Sequence, residues 1–242
     1  YGTALSATQL NASTPVAGSF VYTPAVGALL NAGNGQTLST DFTPTDTTNY
    51  NSVNGTTATI NVTKATPTIT WATPSSIVAG TLLSGTQLNA SANAIYNSVN
   101  TPVAGTFTYT PVSGTQVTLA GTSTLSTDFT PTDTANYNSV NGTTVVLTTV
   151  PGPISQIELA ASPTSLDITS ASTLTVTGKD QYGNVVTNNS TTPVILSVDN
   201  GALATTRLTL TSGVKTTTLS RSSAGASIVN AFTVLSGSLA SA

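Results

Sequence analysis

The chain has no cysteine and no histidine, a single tryptophan, and a single glutamate at Glu158. Without cysteine there are no disulfides and no thiolate metal sites. Without histidine, a serine or threonine nucleophile lacks the imidazole base of the usual triads. Charge is nearly as scarce: charged residues fill 5% of the 242 positions, where a typical soluble domain carries about 25%. The only basic residues are Lys64, Lys179, Arg207, Lys215 and Arg221, and the net charge is −3. That is no phosphate-binding footprint, and nucleic acid is not expected as a partner. No apolar run approaches the length of a membrane span, so direct membrane insertion is not expected either. So uncharged a surface relies on hydroxyls and amides for solubility and repels its neighbours weakly, which suits close packing in a lattice or fibre.

What fills the space is threonine, at roughly one position in five, with Gly, Ser, Asn and Val. β-branched residues suit a pleated, half-buried surface, which predicts an all-β fold. "GSFVYTP" (18–24) and "GTFTYTP" (105–111) alternate small or hydroxyl residues with Phe20/Tyr22 and Phe107/Tyr109. Pro24 and Pro111 end these strands. "QTLSTDFTP" and "STLSTDFTP" set Leu38/Phe42 and Leu125/Phe129 on one face. No segment carries a sustained helical stripe.

The chain repeats itself. "GTALSATQLNA" (2–12) matches "GTLLSGTQLNA" (80–90) at an offset of 78, and "TPVAG" (14–18) matches "TPVAG" (101–105) at an offset of 87. The difference of nine residues (87 − 78) falls in "SANAIYNSVN" (91–100), which reads as a tolerated surface loop. Downstream, "TDFTPTDTTNYNSVNGTT" (40–57) and "TDFTPTDTANYNSVNGTT" (127–144) differ only at Thr48 against Ala135. The second copy is preceded by "ATPTITWATPSSIVA" (65–79), which carries Trp71. The first copy begins at the residue aligned with Ala79, so its first strand is expected to be absent, either through truncation or processing of a longer chain or because a neighbouring subunit supplies it. Pro151-Gly152-Pro153 marks a linker. Beyond it the strand candidates run from "ISQIELAAS" to "SIVNAFTVLSG", with turns at 181–184 and an Asn-Gly hairpin signal at Asn200-Gly201. The expected domains are 1–64, 65–150 and 151–242.

The run "TPTITWATP…GT.LS.TQLNA…G.F.YTP…LS..FTPTDT.NYN" resembles the MBG-type bacterial Ig-like repeats over both copies. Residues 154–242 resemble an invasin-type (group 1) bacterial Ig-like domain through "SQIELAASPTSL", "TLTVTGKDQYGNVV" and "VILSVDNGAL". These resemblances imply three tandem Ig-like Greek-key β-sandwiches in a rod, within a large secreted or surface-anchored protein. They bring no catalytic residues and no cofactor.

Three chemistries compete for the duplicated cassette. Asp41 with Asp46, and Asp128 with Asp133, would offer paired carboxylates for glycoside hydrolysis. That chemistry needs a cleft rich in aromatic rings, and this chain is aromatic-poor; no enzymatic activity is expected. A calcium ion needs six to eight oxygens, and two Asp with Asn and Thr oxygens make at most a weak site. Capping of turns by Asp46 and Asp133 is the simpler reading. The spacing Asp46…Tyr50…Val53, repeated as Asp133…Tyr137…Val140, is similar to the tyrosine corner of Greek-key sandwiches. Sequons occur at Asn11, Asn54, Asn61, Asn89, Asn141, Asn188 and Asn189, candidates for N-glycosylation in a glycosylating host. The expected protein is an extracellular, cell-surface structural subunit of a filament, S-layer or adhesin stalk, partnered by copies of itself or other assembly subunits. The alternative is an adhesion module binding a glycan or host receptor through a terminal domain, with Tyr96 and Tyr182 as the candidate aromatics.

Overall fold

A computed structural model describes residues 1–164, 168–221, 223 and 225–233, and every regular element in it is a β-strand. The strand ends expected at 222 and 234–237 lie outside the described residues. The chain forms two compact units. One takes Tyr1–Thr73, Leu88–Ser113 and Thr124–Val145; the other takes Pro74–Gln87, Gly114–Ser123 and the chain from Val146 onward.

In the first unit, the first copy is an antiparallel meander of β1 (Gly18–Thr23), β2 (Gly33–Pro44) and β3 (Val53–Val62). Period-2 alternation decides its faces: Leu38, Thr40 and Phe42 are buried while Asp41 and Thr43 are exposed. Leu5, Leu10 and Leu38 form the core, with Tyr22, Leu30 and Ile60 packed against it. Thr40 sits inside because its hydroxyl donates to the Val21 carbonyl at 3.1 Å, and Thr127 repeats the bond to Thr108 at 3.1 Å. A threonine satisfied in this way buries its methyl group without an orphaned hydroxyl.

The second copy contributes β4 (Thr68–Thr70), β5 (Ile77–Val78), β6 (Thr81–Leu82), β7 (Ser91–Tyr96), β8 (Val99–Pro102), β9 (Gly105–Thr110), β10 (Gln116–Val117), β11 (Gly121–Pro131) and β12 (Val140–Val150). Sheet β4-β7-β8 is separate from sheet β5-β12-β11-β9, and β6 pairs with β10. The nine-residue insertion is not a loop. It folds as the β7–β8 hairpin, with Tyr96 opposite Val99 and Asn97 and Ser98 at positive φ in the turn. Alternating Ala92 and Ala94 are buried, which gives the hairpin its inward face. Asn and Ser tolerate the left-handed turn that tight hairpins need.

In the second unit, the last third forms two sheets. One has the order β13 (Gln156–Ser162), β14 (Ala171–Lys179), β18 (Val214–Ser220), β16 (Ala202–Leu203). The other has the order β17 (Arg207–Thr209), β15 (Pro193–Val198), β19 (Val229–Thr233). Val176 from the first sheet meets Val194, Leu196, Leu208 and Leu210 in a closed core, giving a sandwich. The Asn200-Gly201 turn does not make the hairpin its dipeptide suggests. It carries the chain from β15 in one sheet to β16 in the other, and Asn200 Nδ2 bonds the Ala226 carbonyl at 3.3 Å instead. An Asn-Gly pair supplies a sharp reversal, but which strands flank it is set by the two-sheet core.

Candidate interaction surfaces

The cassettes fold locally as Asp-centred turns. Asp46 Oδ1 accepts the amides of Thr48 at 3.0 Å and Asn49 at 3.2 Å, and Oδ2 accepts Asn49 Nδ2 at 2.8 Å. Asp133 likewise accepts the Asn136 amide at 3.1 Å and Asn136 Nδ2 at 2.9 Å. The side-chain bonds from Asn49 and Asn136 lead in holding both carboxyls below the ordinary aspartate range. Asp41 and Asp128 work elsewhere, accepting the amides of Gly55 and Gly142 at 2.7 Å each. Among the described residues no three acidic side chains converge on a common point.

The second cassette goes further than the first. Asn136 is buried, accepts the Ala32 amide at 2.7 Å and donates to Asn31 Oδ1 at 3.3 Å. Its own carbonyl accepts from the Ala65 amide at 2.9 Å, and Lys64 Nζ donates to the Thr134 carbonyl at 2.7 Å. Tyr137 packs edge-on to Tyr1 with ring centroids 5.2 Å apart, and Tyr96 meets Tyr1 at 5.4 Å. Burial leads in raising the Tyr1 and Tyr137 phenols above their usual range. One cassette therefore fastens two sequence repeats together. The first cassette has the same turn, but Asn49 and Tyr50 are exposed.

The second unit holds a related fastening. Asp180 is fully buried; it accepts Gly152 N at 3.0 Å, and the amides of Tyr182 and Asn184 and Asn184 Nδ2 at 2.9 Å each. Burial pushes this carboxyl up, but the four donated bonds outweigh it and the net shift is downward. Asn184 then accepts the Ala120 amide at 2.9 Å and donates to the Thr118 carbonyl at 2.7 Å. At the offset of 87, Thr118 aligns with Asn31 and Ala120 with Gly33, so Asn184 and Asn136 grip the same edge of successive repeats. Tyr182 lies over Gly80 and accepts from Gln116 Nε2 at 3.0 Å.

Tyr50 and Tyr137 donate their amides to Asp46 and Asp133 carbonyls, at 3.2 and 3.1 Å. The hydroxyls of Tyr22 and Tyr109 accept main-chain amides, from Ala12 at 2.9 Å and from Ala90 at 3.0 Å. Both follow the "Phe-x-Tyr-Thr-Pro" signature of the strands rather than the cassette. Of the sequons, Asn11, Asn54, Asn61, Asn89, Asn141 and Asn188 are exposed and Asn189 is half-buried, its Oδ1 accepting from Thr191 and Thr192. Lys179 pairs with Glu158 at 2.6 Å.

These turns and sheets define an all-β protein whose distinctive polar residues join successive repeats. No family model matches the chain, and no curated protein matches it. Solved structures do. The D00-D0 domain of intimin matches at 20% identity and TM-score 0.36, over 56% of this chain and 74% of that one. The adhesin InvE of Yersinia pseudotuberculosis matches at 17% identity and TM-score 0.26, over 89% of this chain and 58% of that one. A glycosyl hydrolase family 2 member from Bacteroides cellulosilyticus matches at 17% identity and TM-score 0.34, over 49% of this chain and 18% of that one.

Proposed function

We propose that the chain is an extracellular structural protein, a tandem Ig-like subunit of a cell-surface assembly such as a filament, S-layer or adhesin stalk. The observation that carries this reading is the recurring asparagine grip. Asn136 and Asn184 each bind the main chain of the preceding repeat from an Asp-anchored turn. The scarcity of charge supports the same role, because neighbouring subunits meet little electrostatic repulsion. Partners are then copies of the chain or other subunits, meeting through strand edges and donated strands. Tyr96 packs against Tyr1, and Tyr182 lies over Gly80.

Negatively stained micrographs of the purified chain over a range of concentrations test the proposal. Ordered filaments or sheets are the expected result. Dispersed single particles at the highest concentration would overturn the assembly role.

A further inference from the structure

Asparagine followed by glycine occurs four times, at Asn34, Asn54, Asn141 and Asn200. In such a pair the glycine nitrogen, after losing its proton to hydroxide, can attack the asparagine Cγ. The N–Cγ bond forms, the Cγ–Nδ2 bond breaks, and the departing nitrogen takes a proton from water and leaves as ammonia. A second water then opens the cyclic imide to aspartate or isoaspartate. Glycine is the most susceptible follower, because no Cβ screens its nitrogen.

Asn54 and Asn141 are open to this reaction by position, since both pairs are exposed to solvent. Gly55 and Gly142 hold φ of +69° and +71°, so another residue there would be strained. In the first copy a β-bulge requires that conformation. Thr40 pairs with Thr56 and Phe42 with Val53, so Asn54 and Gly55 together face Asp41. A bulge leaves an amide outside the ladder, and Asp41 Oδ1 accepts that of Gly55 at 2.7 Å. Asp128 Oδ1 accepts the Gly142 amide at the same 2.7 Å.

This bond opposes the attack in two ways. It aims the nitrogen's proton at the carboxylate and holds the amide in place. Ionising that amide would also set a second negative charge 2.7 Å from the first. Gly35 is held in the same manner by Asn61 Oδ1 at 2.7 Å, by an acceptor without charge.

We propose that Asp41 and Asp128 guard Asn54 and Asn141 against deamidation, so that both persist as asparagine in the folded chain. The role is independent of whether the chain assembles. What it preserves is the sheet: isoaspartate would add a methylene to the backbone of β3 or β12, and either product would put a negative charge on a strand that has none.

The full chain, made in a host that does not glycosylate it, is incubated at mildly alkaline pH. Peptide mass spectrometry then follows each asparagine through the replacement of NH2 by OH. In the wild type, Asn54 and Asn141 should convert at least about tenfold more slowly than in the same chain unfolded in urea, the factor that one charge-assisted bond supplies. Asp41→Ala, at an exposed position, should accelerate Asn54 about tenfold or more and leave Asn141 unchanged. Asp128→Ala should do the reverse. Asp41→Asn keeps an acceptor oxygen without the charge and should accelerate Asn54 less than alanine does. Wild-type rates equal to those in urea would overturn the proposal. So would an Asp41→Ala chain in which Asn54 stays slow, or in which both sites speed up alike, because the protection would then come from the fold and not from the carboxylate.

Discussion

Truncating Asn136 to alanine tests whether the cassette is a joint. The amide accepts from Ala32 at 2.7 Å and donates to Asp133 Oδ2 at 2.9 Å and Asn31 Oδ1 at 3.3 Å. Alanine removes all three bonds and leaves the half-buried Ala32 amide and one Asp133 oxygen to find new partners. A typical net hydrogen bond contributes about 1 kcal/mol, so losing three should cost about 2–3 kcal/mol. Two readouts follow. Urea unfolding followed by emission of Trp71, which lies in the same unit, should shift to a lower midpoint. Amide exchange at Ala32 should accelerate about 30-fold or more, since each 1.4 kcal/mol is a factor of ten. Asn49→Ala is the control: it deletes the same bond to the cassette aspartate, but Asn49 is exposed, and its bonds to Asp46 stay within its own turn. It should leave Ala32 exchange unchanged. If Ala32 exchanges equally fast in the wild type and in Asn136→Ala, or if the two variants lose equal stability, the grip is not what joins the repeats.

Asp180 makes stability depend on acid. Its folded pKa lies below the unfolded value near 3.9, so its contribution is present above that pH and is lost as pH falls through the folded value. Asp180→Asn should therefore cost about 2–4 kcal/mol at pH 7 and distinctly less at pH 3, read from urea midpoints by far-ultraviolet circular dichroism; an equal loss at both pH values would contradict this account. Gly80→Ala meets two obstacles, a φ of +97° and the Tyr182 ring in the space a Cβ needs, whereas Gly114 has a φ of +85° with open space. The first substitution should lower stability by about 2 kcal/mol or more and the second by about 1 kcal/mol, and equal thermal shifts would show that Tyr182 does not press on Gly80.

The strands were readable where alternation was regular. "GSFVYT" is β1 and "GTFTYT" is β9, because Phe and Tyr two apart can face a core only in an extended chain. The cassette turns were readable too, since an aspartate followed by small polar residues satisfies its own backbone. The joints were less visible. In "DTANYN" the Asp and Tyr carry the motif, whereas the residue that reaches the preceding repeat is Asn136 between them. An Asp with an Asn three or four residues on stands at 133/136 and 180/184, and also at 46/49, so the pattern marks the turn and not the joint. The insertion at 91–100 shows the same limit: its alternating small residues are weak evidence of a hairpin until the β4 edge is there to pair with them.

By itself the sequence determined the all-β character, the duplication and the turns, because backbone preference and period-2 patterning act over a few neighbouring residues. It did not determine that Asn136 is buried against the edge of the preceding repeat. Asp46-Asn49-Tyr50 and Asp133-Asn136-Tyr137 share local geometry, and in the second Asn136 reaches the Ala32 amide and is buried. Burial is a property of what lies across from a residue, as it is for Tyr109 against Trp71. Only the tertiary structure decides that, because it depends on contacts between residues far apart in the chain.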